Sequence, residues 1–230
     1  MNCNPYQEFL GSSKGAIGRI SADFAENNLC GYVAQPANVI SSIAYIVVGI
    51  VLYNRTKNLI YLFLYTLLGL GSIALHASAS QLSQFIDFGG MFLVIMYLFA
   101  HTLKTSTNLS NKLINIILVS TIIFEFGVLI FAVNYRILVF AFVLLSLLII
   151  ETRFIIKQRL DNRLWVKGWV IFLISFIIWL MDEYRLWDID SIEHIINAHV
   201  FWHIGTAYAL YLVSVYYINK TSQKTHKESI

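Results

Sequence analysis

The chain has 230 residues, of which 58% are hydrophobic and only 13% charged, and it carries a formal net charge of +3. Its mean hydropathy is +0.68, whereas a soluble domain usually carries about 25% charged residues. The composition therefore excludes an ordinary water-soluble domain and points to an all-α integral membrane bundle. The excess of lysine and arginine reads as a topology signal rather than as a surface for nucleic acid or another acidic partner.

Residues 1–35 are polar and lack a basic start followed by an apolar stretch, so no cleaved signal peptide is expected. Both cysteines, Cys3 and Cys30, lie here. Without CxxC spacing they do not suggest a zinc–thiolate site. They read as free thiols, with a disulfide open to them only in an oxidising compartment. Pro36 suits the first turn of a helix, where its missing N–H is not needed.

Apolar runs then follow at Pro36–Tyr53, Leu59–Ser78, Phe85–Leu103, Ile114–Val133, Ile137–Ile156, Val166–Met181 and His199–Ile218. Each approaches the roughly 20 residues that cross about 30 Å of hydrocarbon. Seven transmembrane helices are expected, the fourth and fifth joined by a tight turn at Asn134–Arg136. This divides the chain into an extramembrane segment, 1–35, a seven-helix domain, 36–219, and a tail, 220–230. No internal repeat stands out.

With seven spans, alternate loops share a side. Arg55, Lys57, Lys104, Lys112, Arg153, Lys157, Arg159, Arg163, Lys167, Lys220, Lys224 and Lys227 fall on one side, and Lys14, Arg19, Arg136 and Arg185 on the other. The first side should be cytoplasmic. The amino terminus is then outside and the carboxy terminus inside.

The dense polar chemistry of the apolar region sits at the outer ends of three spans. Ser72 and His76 are four residues apart and share a helix face, as do His199 and His203. Asp87 follows eleven residues after His76. In this topology the second span ends, and the third and seventh begin, at the same outer surface. Three imidazoles plus water form a catalytic zinc shell with Zn–N distances of about 2.0–2.1 Å. Zinc in such a shell lowers the pKa of water from about 15.7 to about 7. Asp87 would move the proton, and Ser72 would donate a hydrogen bond to water or a developing oxyanion. Hydrolysis of an amide or ester held in the membrane fits these parts.

Plainer readings exist for each residue. Ser72 could bond its own i−4 carbonyl, and Asp87 could support a helix dipole. Three histidines together favour a metal, because ionisable groups in lipid are rare and usually functional. His101 and His194 read as interfacial residues, and Trp202 as packing or an interface anchor. Glu125, in mid-span, reads as protonated or paired, with no nameable partner.

The ordered set Ser72-x-x-x-His76, Asp87 and His199-x-x-x-His203 resembles the signature of the CREST superfamily of membrane hydrolases. Within it the amino-terminal segment is most similar to the alkaline ceramidases, which carry an acidic calcium-binding element before the first helix. Asp23-Phe24-Ala25-Glu26-Asn27-Asn28 and Gln35-Pro36-Ala37-Asn38 occupy its place. The resemblance implies zinc on His76, His199 and His203, with Asp87 as base and acid and Ser72 at the oxyanion. It also implies calcium at Asp23, Phe24, Glu26, Asn28 and Gln35. Phe24 stands where the family has tryptophan. Gln35 replaces a carboxylate, which should weaken a hard cation, and ordinary helix capping remains the alternative for this segment.

The implied activity is hydrolysis of the N-acyl bond of ceramide, a membrane lipid, to a sphingoid base and a fatty acid. Other readings are a lipid esterase or phospholipase of the same superfamily, a seven-helix lipid receptor with structural zinc, and a metal-free proton relay using the histidines and Glu125. A bacterial inner membrane is the expected location, or the endoplasmic reticulum or Golgi membrane in a eukaryote.

Overall fold

The computed structural model describes Glu26 and residues 33–158, 161–184, 186 and 196–228, without the side chains of residues 133 and 221–228. Seven α-helices lie in the described residues: α1 Pro36–Thr56, α2 Leu59–Ser78, α3 Gln81–Ser106, α4 Asn111–Phe131, α5 Arg136–Gln158, α6 Arg163–Glu183 and α7 Ala198–Glu228. A single 3-10 turn, Val133–Tyr135, separates α4 from α5. Cys3, Cys30, Asp23, Phe24, Asn28 and His194 lie outside the described residues.

The helix ends follow from local chemistry. Pro36 opens α1 at its first turn. Lys57 and Ala79 close α1 and α2 in the left-handed conformation, with φ of 56° and 47°. Ser80 then starts α3 through a reciprocal capping box with Ser83, satisfying amides that a helix start leaves orphaned. That cap is why α3 begins at Gln81, four residues ahead of the apolar run at Phe85. With only Ala79 and Ser80 between them, α2 and α3 must run antiparallel. The end of one and the start of the other therefore lie together.

Helix α7 packs on α6 and α1, α1 on α2, and α2 on α3, while α4 and α5 pack on α3 and on each other. The α2–α3 approach depends on two glycines. A Cβ on Gly71 would lie 3.0 Å from Asp87 Cα, and one on Gly90 would lie 2.9 Å from Leu68 Cα. Tyr65, Phe92, Leu147 and Tyr217 are among the buried residues of the core. Outward faces carry Ile40, Phe63, Ile123, Leu138, Phe142 and Leu173, all exposed, as expected where hydrocarbon is the solvent. Helices α1 to α6 are each long and apolar enough to cross a membrane. The protein is a multi-pass membrane protein.

Three charged groups differ from or extend the sequence reading. Arg136, expected as a loop charge, is buried, lies 3.5 Å from Glu183 of α6 and sits over the ring of Phe88. Glu125 is fully buried in α4, and neither carboxyl oxygen has a hydrogen-bond partner among the described residues. Glu151 of α5 is also fully buried. It accepts hydrogen bonds of 2.7 Å each from Ser106 Oγ of α3, Tyr216 OH of α7 and Lys220 Nζ of α7. Thr102 and Tyr217 are hydrogen-bonded nearby. This polar knot lies about 25 Å along α7 from His203, at 1.5 Å per residue.

Candidate metal centre

The end of α2 and the start of α7 meet at the opposite end of the bundle. His76 lies in the last turn of α2, while His199 and His203 lie in the first two turns of α7. Their ring centroids are 4.7 Å apart for His76 and His199, 5.0 Å for His76 and His203, and 4.5 Å for His199 and His203. One ligand atom from each lies within 4.8 Å of the others, and all three residues are buried. This is the one such group among the described residues.

Each ring is oriented through Nδ1. His76 Nδ1 donates to Gln35 Oε1 at 2.6 Å. His199 Nδ1 donates to Asp182 Oδ2 at 3.0 Å. His203 Nδ1 lies 2.8 Å from Ser41 Oγ. Metal-ligating histidines usually bond their second nitrogen in this way, which fixes tautomer and ring plane. An ion would then be met by the second ring nitrogen, Nε2, which in His203 also lies 3.3 Å from Ser72 Oγ. Three neutral nitrogen donors with an open fourth position suit zinc, so the residues present fit that metal.

The chain entering α1 ties the cluster together. The backbone amides of Ala34 and Gln35 bond the carbonyls of Ala77 and His76 at 3.0 and 2.9 Å, satisfying orphan carbonyls at the end of α2. Buried Glu26 accepts from the amides of Ala37 and Asn38 at 2.9 and 3.0 Å, a carboxylate at the positive end of the α1 dipole. Gln35 Nε2 donates to the Glu26 carbonyl at 3.1 Å. Of the expected calcium residues, Glu26 and Gln35 are thus described, one as a remote helix cap and the other as the support of His76.

Ser72 and Asp87 line the same pocket as His199 and His203. Ser72 Oγ lies 3.3 Å from His203 Nε2 and 2.9 Å from Ser42 Oγ. Asp87 is buried at the same pocket wall. The pocket spans about 400 Å³, counting the space at its open mouth, and its remaining lining is mostly apolar and aromatic. Trp202, read as packing, stacks on Trp179 at 5.4 Å, and both indoles also line the pocket.

The sequence reading brought His76, His199, His203, Ser72 and Asp87 to one place, and the structure has them adjacent. It missed Asp182, Ser41, Ser42 and the role of Gln35 at His76. A buried acid at the end of an apolar run was a usable signal for Asp182. The serines look like ordinary small residues of a membrane helix and carried none.

Chemically, the centre can hold a divalent cation beside a carboxyl and a hydroxyl in a pocket with largely apolar walls. Residues 21–229 of the chain match the family model described as Ceramidase. No curated protein matches the chain.

Proposed function

The chain belongs to the ceramidase family, and from that footing we propose that it is a zinc-dependent intramembrane amidase that cleaves the N-acyl bond of ceramide. The products are a sphingoid base and a fatty acid. The observation that carries this reading is the convergence of His76, His199 and His203 on one point, with two of them, His199 and His203, lining a pocket together with Asp87 and Ser72.

In this mechanism the three imidazoles would hold zinc, with Gln35, Asp182 and Ser41 fixing the rings. Bound there, zinc supplies Lewis acidity for water activation and carbonyl polarisation. The Asp87 carboxylate receives the proton of the attacking water and returns it to the amide nitrogen as that nitrogen leaves. Ser72 Oγ donates to the oxygen on which charge develops. The aromatic walls of the pocket keep bulk water away from the scissile bond, which strengthens each of these interactions.

We further propose α7 as a seventh crossing, with the amino terminus outside and the carboxy terminus in the cytoplasm. The distribution of lysine and arginine between alternate loops supports this orientation. It divides the chain at residues 35 and 219, as the sequence suggests. Calcium at Asp23, Phe24, Glu26, Asn28 and Gln35 is a secondary proposal, supported by clustered oxygen donors. The bacterial inner membrane is the proposed location.

Purified protein incubated with a panel of ceramides and ester lipids, followed by mass spectrometry, tests the activity. Release of free sphingoid base is expected, and loss of that release in His199→Ala. Cleavage of ester lipids alone would replace the amidase with an esterase, and ceramide turnover by His199→Ala would eliminate the zinc mechanism.

A further inference from the structure

Glu183 is the last residue of α6, directly after Asp182, which anchors His199. Consecutive positions on a helix point about 100° apart, so the two carboxylates serve different neighbours. Asp182 turns inward to the metal cluster, while Glu183 lines the pocket shared by Asp87, His199 and Ser72. Behind Glu183 stands Arg136, the first residue of α5. Their side chains are 15% and 3% exposed and lie 3.5 Å apart. The Arg136 guanidinium also sits 5.0 Å from the centroid of Phe88, another pocket residue. Arg136 is therefore enclosed between a carboxylate and an aromatic ring, and the carboxylate is the group presented to the cavity.

A carboxylate there has a definite chemical preference. It is an acceptor only, so it favours a ligand with an O–H donor and repels an anionic one. Its place is the end of the bundle that carries the close of α2 and the start of α7. A lipid whose tails follow the apolar walls inward would present its terminal head group at this point. Resting on the ceramidase reading, we infer that Glu183, positioned by Arg136, is the head-group specificity residue that accepts a hydrogen bond from the terminal primary hydroxyl of ceramide. A ceramide lacking that hydroxyl loses the bond, and one phosphorylated on it meets like charge.

The test compares ceramide, 1-deoxyceramide and ceramide 1-phosphate of one chain length on the purified protein. Wild-type kcat/KM should favour ceramide over 1-deoxyceramide by about tenfold or more, the range for a hydrogen bond to a charged group. In Glu183→Ala that ratio should fall to about one, and discrimination against ceramide 1-phosphate should weaken. Arg136→Gln should reduce the ratio as well, since the carboxylate is no longer held in place. Glu183→Gln, which keeps the shape of the side chain, guards against a misfolded variant and should give an intermediate ratio. If Glu183 is only a structural staple, its substitution lowers all substrates by the same factor and the ratios stay at wild-type values, which overturns the inference. Should the wild type cleave no ceramide, the amidase reading fails, and the same three lipids are compared by tryptophan-fluorescence titration of binding. There, equal affinities for ceramide and 1-deoxyceramide overturn the role of Glu183, and a loss confined to wild type and absent in Glu183→Ala supports it.

Discussion

His199 Nδ1 meets Asp182 Oδ2 at 3.0 Å, joining the first turn of α7 to the last turn of α6 through fully enclosed groups. A carboxylate in that position fixes the imidazole with Nε2 turned toward His76 and His203 and makes it a better donor to a cation. Asp182→Ala should therefore lower zinc affinity by about 10–100-fold, the usual effect of losing such a partner. Competition with a chromophoric chelator measures it, alongside circular dichroism to follow helix content. Unchanged affinity in a folded variant would mean that the aspartate only packs.

Gln35 plays the matching part at His76, 2.6 Å from its Nδ1, and also bonds the Glu26 backbone. Gln35→Leu should weaken zinc by at least about tenfold, whereas Gln35→Glu keeps the acceptor and should retain it. The glutamate variant also adds a carboxylate beside Glu26. If calcium binds this segment, the rise in melting temperature on adding calcium should be larger in Gln35→Glu than in wild type, because bound ligand stabilises the folded state. An identical response, or none in either protein, would remove calcium from the account.

The seven helices were legible because each apolar run has the length of a crossing, and because Pro36 and the polar gaps mark the breaks. The histidine cluster was legible because i, i+4 spacing survives in any helix, so His199 and His203 had to share a face. What could not be read were contacts between residues distant in sequence that look unremarkable alone. Arg136 looked like a loop charge, since nothing local announces Glu183 47 residues later. The bond from His76 to Gln35 was equally hidden, because it depends on how residues 34–35 lie against the end of α2.

At the far end of the bundle, Glu151 and Lys220 form an enclosed ion pair at 2.7 Å. Removing one member strands the other charge, which typically costs about 3–5 kcal/mol. Glu151→Ala should therefore lower the melting temperature sharply. Glu151→Leu combined with Lys220→Met should recover much of the loss, since an apolar pair leaves no stranded charge. A double variant as unstable as the sum of the single ones would mean that the hydrogen bonds from Ser106 and Tyr216, rather than the ion pair, hold this end together.

Helices α2 and α3 approach through Gly90, where an added Cβ would strike the Leu68 backbone at 2.9 Å. Backbone atoms cannot yield as a flexible side chain can. Gly90→Val should destabilise the protein by about 1–3 kcal/mol, the usual range for overpacking, read as a lower thermal midpoint in detergent. Gly127 offers the control, because an added Cβ there meets nothing within 4 Å. Gly127→Ala should leave the midpoint unchanged or raise it slightly, as expected for replacing a mid-helix glycine. Equal effects at the two sites would contradict the close α2–α3 approach.

The most direct test of the centre is the metal content of purified protein, measured by inductively coupled plasma mass spectrometry on wild type, His76→Ala, His199→Ala and His203→Ala. Wild type should carry about one zinc per chain and each single variant should lose it, because a structural or catalytic zinc shell needs at least three protein ligands. Wild-type protein that remains metal-free after purification in zinc, or single variants that each keep a full equivalent, would contradict it.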